Sequence, residues 1–297
     1  MKIKYTNAEG KEIDIEYINQ KYNKSYGIKG DGSKGALGGV MCNETSLAMA
    51  LVEMGINVKD VYNGKSGGKL SLVKGAKRED MTAADYIEMA RQNMYKNDYR
   101  GSFATLYKLA VLSGKVEPYV KGNENDYSTW YYEKTDDPSQ VTNEKKYKLN
   151  KVVGEIQGIH GTNTALIKKH YQKLWNYMDD KDKVLLSGRF QRLKPNGDVH
   201  SFGHIVKLLE VRDDGIVIQD PFGEYEKPDA EGWKYNINDA GKEYDKKGVY
   251  FLNWEAVQKI QLGKAYLYIK EYTLKEKLED FWKKISNFRA KEGGKKK

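Results

Sequence analysis

Hydrophobic and polar positions follow two different periods along the chain, and the period changes near residue 183. Before that residue, most apolar stretches repeat every three to four positions, which is typical of helices with one buried face. After it, apolar residues alternate with polar ones or form short runs between turn residues, which is typical of strands. Helices followed by strands predict an α+β fold with an antiparallel sheet.

The N-terminal part is predicted to begin with a hairpin and to continue with a loop and a helix. Residues 1–17 alternate on both sides of a turn at residues 8–10. Residues 24–40 are rich in glycine and are expected to form an irregular loop. The apolar residues that follow repeat at helical spacing, which predicts a helix over 43–54 with Gly55 as its C-cap.

Further helices are predicted before the strands. Residues 82–113 hold two of them, the first with Thr82 as its N-cap, and residues 161–179 hold another. The polar, tyrosine-rich residues 119–150 show no clear period and are interpreted as a surface insertion. Residues 273–297 combine an amphipathic helix with a basic tail, which is expected to dock on the domain or on a partner.

Apolar segments after residue 183 predict the strands of the sheet. They are, in chain order, VLLSGRFQRL, HIVKLLEV, GIVIQDPF, GVYFLN and KAYLYIKEY. The turn sequence at residues 212–215 joins the second and third segments and predicts a tight hairpin. The chain is therefore expected to form one domain over 1–272, with the segment 273–297 added to it.

Composition mainly excludes classes of protein. The 297 residues are 39% hydrophobic and 31% charged, a globular but polar mixture. The formal charge of +9 would suit an acidic polymer, but lysine is spread along the chain among acidic residues. No nucleic-acid recognition motif is present, so nucleic-acid binding is not expected. A single cysteine argues against a disulfide framework and a multi-cysteine zinc site, and no metal ion or cofactor is expected.

The location of the protein follows from its apolar segments. None of them approaches the roughly 20 residues that a membrane-spanning helix needs, so no membrane span is expected. Residues 1–17 lack the apolar core and the cleavage site of a secretory signal. We therefore expect a cytoplasmic protein, or one that is carried in a phage virion or released by lysis.

The only cysteine, Cys42, stands where the glycine-rich loop meets the apolar helix. A thiol at a helix N-terminus points into the positive end of the helix dipole, which favours the thiolate, the form that attacks carbonyl carbon. A lone cysteine on an apolar helix is more often a small buried hydrophobic residue. Because Cys42 stands at the helix start and not within the apolar stripe, a nucleophile is favoured.

A histidine and an aspartate on the predicted hairpin supply the groups that a thiol nucleophile needs. His204 follows Gly203 and is predicted to open a strand at the rim of the sheet, where it can act as general base and then general acid. Asp220 closes the next strand, and antiparallel pairing brings it near His204, where it can fix the imidazole tautomer. Each alone has an ordinary structural explanation, but their coincidence with Cys42 favours catalysis.

These segments resemble the papain-like cysteine peptidases related to the double-glycine leader peptidases of bacteriocin exporters. Cys42–Leu51 is similar to the nucleophile helix of that family, although Asn43 and Glu44 stand where the family often has Gly-Pro. Gly203–Val206 and Asp220–Gly223 resemble its histidine and aspartate segments. The resemblance implies a papain-like fold in which the nucleophile helix packs on an antiparallel sheet.

The resemblance also implies a fourth site residue. Residues 17–23 resemble the Tyr-x-x-Gln segment that precedes the cysteine in that family. Gln20 is therefore expected to donate its side-chain amide to the oxyanion, together with the backbone N–H of Cys42. Gln20 lies 22 positions before Cys42, and Asn19 or Asn23 could take the same role.

A cysteine peptidase or amidase with a Cys-His-Asp triad is therefore the leading hypothesis. Its substrate is expected to be a peptidoglycan peptide, as for a lysin of a phage tail or virion, or another peptide or protein. The alternative is a non-catalytic module that keeps the fold and serves as a structural or binding part of a larger assembly. The segment 273–297 could then contact phage tail proteins or other particle proteins.

Overall fold

The computed structural model shows helices packed against an antiparallel sheet, so the chain has an α+β fold. Among the residues that it describes, no helix is both long and apolar enough to cross a membrane. These residues are 1–28, 33–66, 71–94, 118–119, 146–147, 164–177, 183–223, 234–235, 242–244, 248–260, 262 and 264–268.

Short two-stranded ladders precede the main sheet in the chain. Their strands are β1 (Lys2–Thr6) with β2 (Glu12–Glu16), β3 (Tyr26–Ile28) with β4 (Lys34–Ala36), and β5 (Pro118–Tyr119) with β6 (Lys146–Tyr147). The first ladder is the predicted N-terminal hairpin. The second lies in the segment predicted to be an irregular loop, and it is followed by a 3-10 helix at Gly38–Val40, so that prediction was wrong in part. Glycine-rich strands pair through backbone groups alone and show no apolar pattern.

Within the described part of the chain, the main sheet has seven strands, all of them antiparallel. They are β7 (Lys183–Leu193), β8 (Val199–Val211), β9 (Gly215–Gln219), β10 (Lys234–Tyr235), β11 (Lys242–Tyr244), β12 (Val249–Asn253) and β13 (Lys264–Tyr268). Their order is β10-β7-β8-β9-β12-β11, and β13 pairs with the other end of β7. The five predicted segments all appear in this sheet, and β7 and β8 form its longest hairpin.

The helices of the described residues pack against this sheet or against one another. They are α1 (Cys42–Glu53), α2 (Val58–Ser66), α3 (Ala83–Met94), α4 (Thr164–Tyr177) and α5 (Trp254–Lys259). α1, α3 and α4 were predicted, and Thr82 caps α3 by accepting a hydrogen bond from the N–H of Asp85. α2 and α5 were not predicted, because nine and six residues are too few to show a clear helical period.

Both faces of the central strands are covered by apolar side chains. On one face, Leu185 and Ile205 join the buried residues of α1 and α3. On the other face, Leu186 and Val206 pack with residues of α4 and α5. Because both faces are covered, residues 204–208 of β8 are all buried, the polar side chains of His204 and Lys207 included.

Several predictions concern residues that lie outside the described ranges. The predicted second helix within 82–113 and the segment 273–297 are among them. Of the predicted insertion 119–150, the structure describes only the ladder of β5 and β6 at its two ends. The domain boundary at residue 272 therefore stays a prediction.

Candidate active site

Cys42 is the first residue of α1. The 3-10 helix at Gly38–Val40 leads into it through Met41, whose carbonyl accepts the N–H of Thr45 at 3.0 Å in the first turn. The side chain of Cys42 is half-buried, and its Sγ lies 3.4 Å from Oδ1 of Asn43. The thiol therefore lies at the positive end of the helix dipole with part of its surface open.

His204 and Asp220 form a buried pair. Nε2 of the imidazole lies 2.8 Å from Oδ1 of Asp220, and the two side chains are 2% and 0% exposed. Oδ1 of Asp220 also accepts the backbone N–H of Phe222 at 2.6 Å, which fixes the carboxylate. Because Nε2 faces the carboxylate, Nδ1 is the ring nitrogen that can exchange a proton with a thiol.

The sequence predicted that His204 opens its strand, and this prediction was wrong. β8 begins five residues earlier at Val199, and His204 is the first buried residue of the strand. The β7–β8 hairpin extends beyond the covered part of the sheet, and its exposed positions carry no apolar pattern that would reveal the strand. A Cβ at Gly203 would meet nothing within 4 Å, so the space beside this part of β8 is open.

A β-bulge decides the face on which Asp220 lies. Regular pairing from the hairpin turn would place Asp220 opposite Lys207, on the face of β8 away from His204. The register shifts at Leu209, and Lys207 pairs with Gln219 instead. Asp220 is the next residue, so the shift moves it onto the face that carries the imidazole. The sequence predicted the proximity of the two side chains but not the bulge that it requires.

Aromatic rings surround the imidazole of His204. The ring of Phe190 lies nearly perpendicular to it at a centroid distance of 5.0 Å, and the ring of Phe222 does so at 6.4 Å. The ring of Phe202 is tilted against it at 5.6 Å. These contacts restrict the imidazole to one orientation and exclude most water from it.

The protonation of His204 is set by opposing influences. Burial is the largest and lowers the pKa, because it disfavours the charged ring. The charge of Asp220 and its hydrogen bond, followed by smaller contributions from Cys42, raise it. Together they outweigh burial and raise the pKa of His204 to about 9. The imidazole is therefore protonated at neutral pH and interacts with both of the other predicted triad residues.

Gln20 lies beside the 3-10 helix that precedes Cys42. Its side chain is buried, and its Nε2 donates a hydrogen bond to the carbonyl of Gly38 at 3.0 Å. A Cβ at Gly38 would lie 2.7 Å from the backbone oxygen of Gln20, so the two segments are in direct contact. The chain thus folds back across the 21 residues that separate Gln20 from Cys42. The Gly38 carbonyl accepts one of the two N–H groups of the Gln20 side-chain amide, and the oxyanion role requires the other.

Asn19 and Asn23, the alternatives to Gln20, both have structural roles. Asn19 caps the 3-10 helix at Gln20–Tyr22, where its Oδ1 accepts a backbone N–H at 2.9 Å. Asn23 is tied to α1, because its Nδ2 donates to Oγ1 of Thr45 at 2.9 Å. These bonds hold both amides in place, just as the bond to Gly38 holds that of Gln20.

Asp85 holds the segment that follows Gln20, and the sequence did not reveal it. Its carboxylate is fully buried and accepts the backbone N–H groups of Lys24, Ser25 and Thr82 at 2.8 to 3.0 Å. It also accepts the hydroxyl of Ser25 at 2.5 Å. An acidic residue in the first turn of a helix is common and signals nothing more than a helix start. Asp85 therefore ties this segment to α3.

Two cations lie over the rings that surround His204. The guanidinium carbon of Arg192 lies 3.9 Å from the ring centroid of Phe222 and 4.6 Å from that of Phe202. Nζ of Lys21 lies 4.3 Å from the centroid of Phe222. Sequence reasoning missed both cations, because cation–π contacts between residues so distant in the chain leave no local pattern.

Among the described residues, no group of three or more His, Cys, Asp or Glu side chains is arranged to hold a metal ion.

Comparisons with protein-family models, with curated proteins and with solved structures found no match. The interpretation of the site therefore rests on its own geometry: a thiol at a helix start, an oriented imidazole and a buried carboxylate.

Proposed function

We propose that this protein is a cysteine peptidase or amidase with a papain-like fold, in which Cys42, His204 and Asp220 act as a catalytic triad. The observation that carries the proposal is the environment of His204. Its ring is buried, is oriented by Asp220 at 2.8 Å and interacts with Cys42 at the start of a helix. A nucleophile, a base and a group that orients the base are the three parts of such a triad.

The proposed reaction begins with the proton of the Cys42 thiol on Nδ1 of His204, which leaves a thiolate beside an imidazolium. The thiolate attacks the amide carbonyl, and the imidazolium protonates the leaving nitrogen as the C–N bond breaks. Water then attacks the thioester, its proton passes to His204, and the C–S bond breaks to release the carboxylic acid and restore the thiolate beside the imidazolium. A pKa of about 9 for His204 supports this order, because the ring is protonated at rest and can act as the acid.

Gln20 is the proposed side-chain donor to the oxyanion, and the backbone N–H of Cys42 is the second donor. The position of Gln20 supports this role. Its backbone N–H donates to the carbonyl of Pro221 at 2.7 Å, next to Asp220, and its side chain donates to Gly38, close to Cys42. Gln20 is therefore held between the two segments that carry the nucleophile and the carboxylate.

The proposed substrate is an amide bond in a peptidoglycan peptide or in another peptide or protein. The test is incubation of the full chain with purified peptidoglycan and with a diverse peptide library, with products identified by mass spectrometry. Cys42→Ala is expected to lower the rate by about 10³-fold or more, since it removes the nucleophile. Asp214→Asn removes an exposed carboxylate from the turn between β8 and β9 and serves as the control with unchanged rate.

Two results would contradict the proposal. One is hydrolysis at equal rates by the unmodified protein and by Cys42→Ala, because the bond would then be broken without the thiol. The other is the absence of any product from both substrates. A thioester adduct of the unmodified protein, detected by intact mass after a brief reaction and missing in Cys42→Ala, would support the covalent step directly.

A further inference from the structure

Arg192 and Lys21 come from distant parts of the chain and meet at one aromatic ring. Arg192 belongs to β7, and Lys21 belongs to the 3-10 helix at Gln20–Tyr22. Their charged groups lie 3.9 and 4.3 Å from the ring centroid of Phe222. Phe222 is buried, and charges held against a buried ring interact more strongly with an added anion than charges in open water. A carboxylate that reaches both cations is attracted by each of them.

This cluster is built from the same segments as the proposed active site. Lys21 directly follows the oxyanion candidate in the sequence. Phe222 follows Asp220 by two residues and donates its N–H to the carboxylate at 2.6 Å. Phe202 lies two residues before His204 on β8, so both side chains project from the same face of the strand. A ligand bound to these cations is therefore close to the imidazole.

The register of β7 and β8 sets how far Arg192 lies from the imidazole. Gly188 pairs with His204, and Arg192 lies four residues further along β7, on the same face. The guanidinium carbon lies 4.6 Å from the ring centroid of Phe202, and that centroid lies 5.6 Å from the imidazole, so the guanidinium and the imidazole are at most about 10 Å apart. Since an extended peptide covers about 3.3 Å per residue, a carboxylate at Arg192 belongs within about three residues of the scissile amide.

The chemistry of the two side chains points to a carboxylate as the ligand. A guanidinium stacked on a ring keeps its N–H groups at its rim, where they can bind both oxygens of a carboxylate. We infer that Arg192 and Lys21 form a cationic subsite that binds an acidic side chain of a peptide substrate next to the scissile bond. This inference rests on the proposed function and adds the charge of the substrate to it.

The test uses pairs of peptides that differ only in one residue, glutamate or glutamine. The pairs are derived from a peptide that the full chain cleaves, with the exchange at each of three positions on either side of the bond. We expect kcat/KM to be about 10-fold higher for the glutamate peptide at one of these positions, which is the gain from a charge-assisted hydrogen bond. In Arg192→Met, which keeps the apolar stem on the rings, this ratio should fall close to one while the glutamine peptide is still cleaved.

Arg189→Met is the matched control. Arg189 is exposed on the same strand, three residues before Arg192, and its loss removes the same charge from the protein. The preference for glutamate should therefore survive in Arg189→Met. A loss of preference in both variants would assign the effect to net charge and overturn the subsite, as would a preference that is equal in Arg192→Met and in the unmodified protein.

A binding measurement keeps the inference testable if Arg192→Met folds poorly. The Cys42→Ala variant is expected to bind the glutamate peptide more tightly than the glutamine peptide in fluorescence anisotropy, with a difference that shrinks at high salt. Equal binding of the two peptides overturns the subsite. Cleavage that depends on Cys42 but shows no charge preference overturns the subsite alone, whereas the absence of Cys42-dependent cleavage contradicts the proposed function.

Discussion

Replacement of Asp220 by asparagine tests the charge that keeps the imidazole protonated. The substitution preserves the shape of the side chain and an oxygen that can accept the N–H of Phe222, but it removes the negative charge. Burial lowers the pKa of His204, and Asp220 supplies the largest opposing influence. Once that influence is lost, burial dominates, and we expect the imidazole of the variant to be neutral at pH 7.

The magnitude follows from proton linkage. The pKa of His204 rises from 6.5 to about 9 on folding, and each unit corresponds to about 1.4 kcal/mol, so the bound proton stabilises the fold by on the order of 3 kcal/mol. Because the folded-state pKa is raised, this stabilisation is complete below pH 6.5 and is lost as the pH rises through about 9. The unmodified protein should lose this free energy of unfolding across that window, and Asp220→Asn should not.

Urea unfolding of both proteins at a series of pH values measures this slope. Asp214→Asn, with its exposed side chain at the turn between β8 and β9, is the matched control and should follow the unmodified protein. A histidine NMR titration should also show one ring titrating near pH 9 in the folded protein and below its ordinary value in Asp220→Asn. Equal slopes for the two proteins, or no ring with a raised pKa, would refute the reasoning.

Two further substitutions test the segments that position Gln20. Gly38→Ala places a Cβ 2.7 Å from the backbone oxygen of Gln20, so we expect a loss of about 2 kcal/mol in urea unfolding and a lower kcat. Gly39→Ala, whose Cβ would meet nothing within 4 Å, is its control, and equal losses would contradict the close contact. Asp85→Asn removes the charge that accepts three backbone N–H groups and should cost about 3 kcal/mol. Asp80→Asn, which is exposed and accepts one, should cost under about 1 kcal/mol, and similar costs for both would rule out Asp85 as the anchor.

Much of the fold could be predicted because its signals are local. The helical spacing after residue 43 and the turn at residues 212–215 each lie within one element or one hairpin, and both elements are present. The position of Cys42 at the start of α1 is a property of the same short stretch. The start of β8 was misjudged, because its exposed residues from Val199 onward have no buried face to produce a pattern.

The positions of the groups around His204 depend on contacts between distant segments. The bulge at Leu209 arises in the pairing of β8 with β9, and it alone brings Asp220 to the correct face. The hydrogen bonds of Asp85 and the cation–π contacts of Arg192 join parts of the chain that are far apart in sequence.

The sequence alone was therefore sufficient to predict which chemical groups are present and which helices and strands carry them. Helix and strand propensity, apolar period and turn chemistry all act over a few residues. Only the tertiary structure decided on which face of the sheet those groups lie. It also decided whether the imidazole is protonated and which cations lie beside it. A one-residue shift in strand register moves a side chain to the other face of the sheet. Burial and neighbouring charges together set the pKa of the imidazole. Both depend on partners that no local stretch of sequence contains.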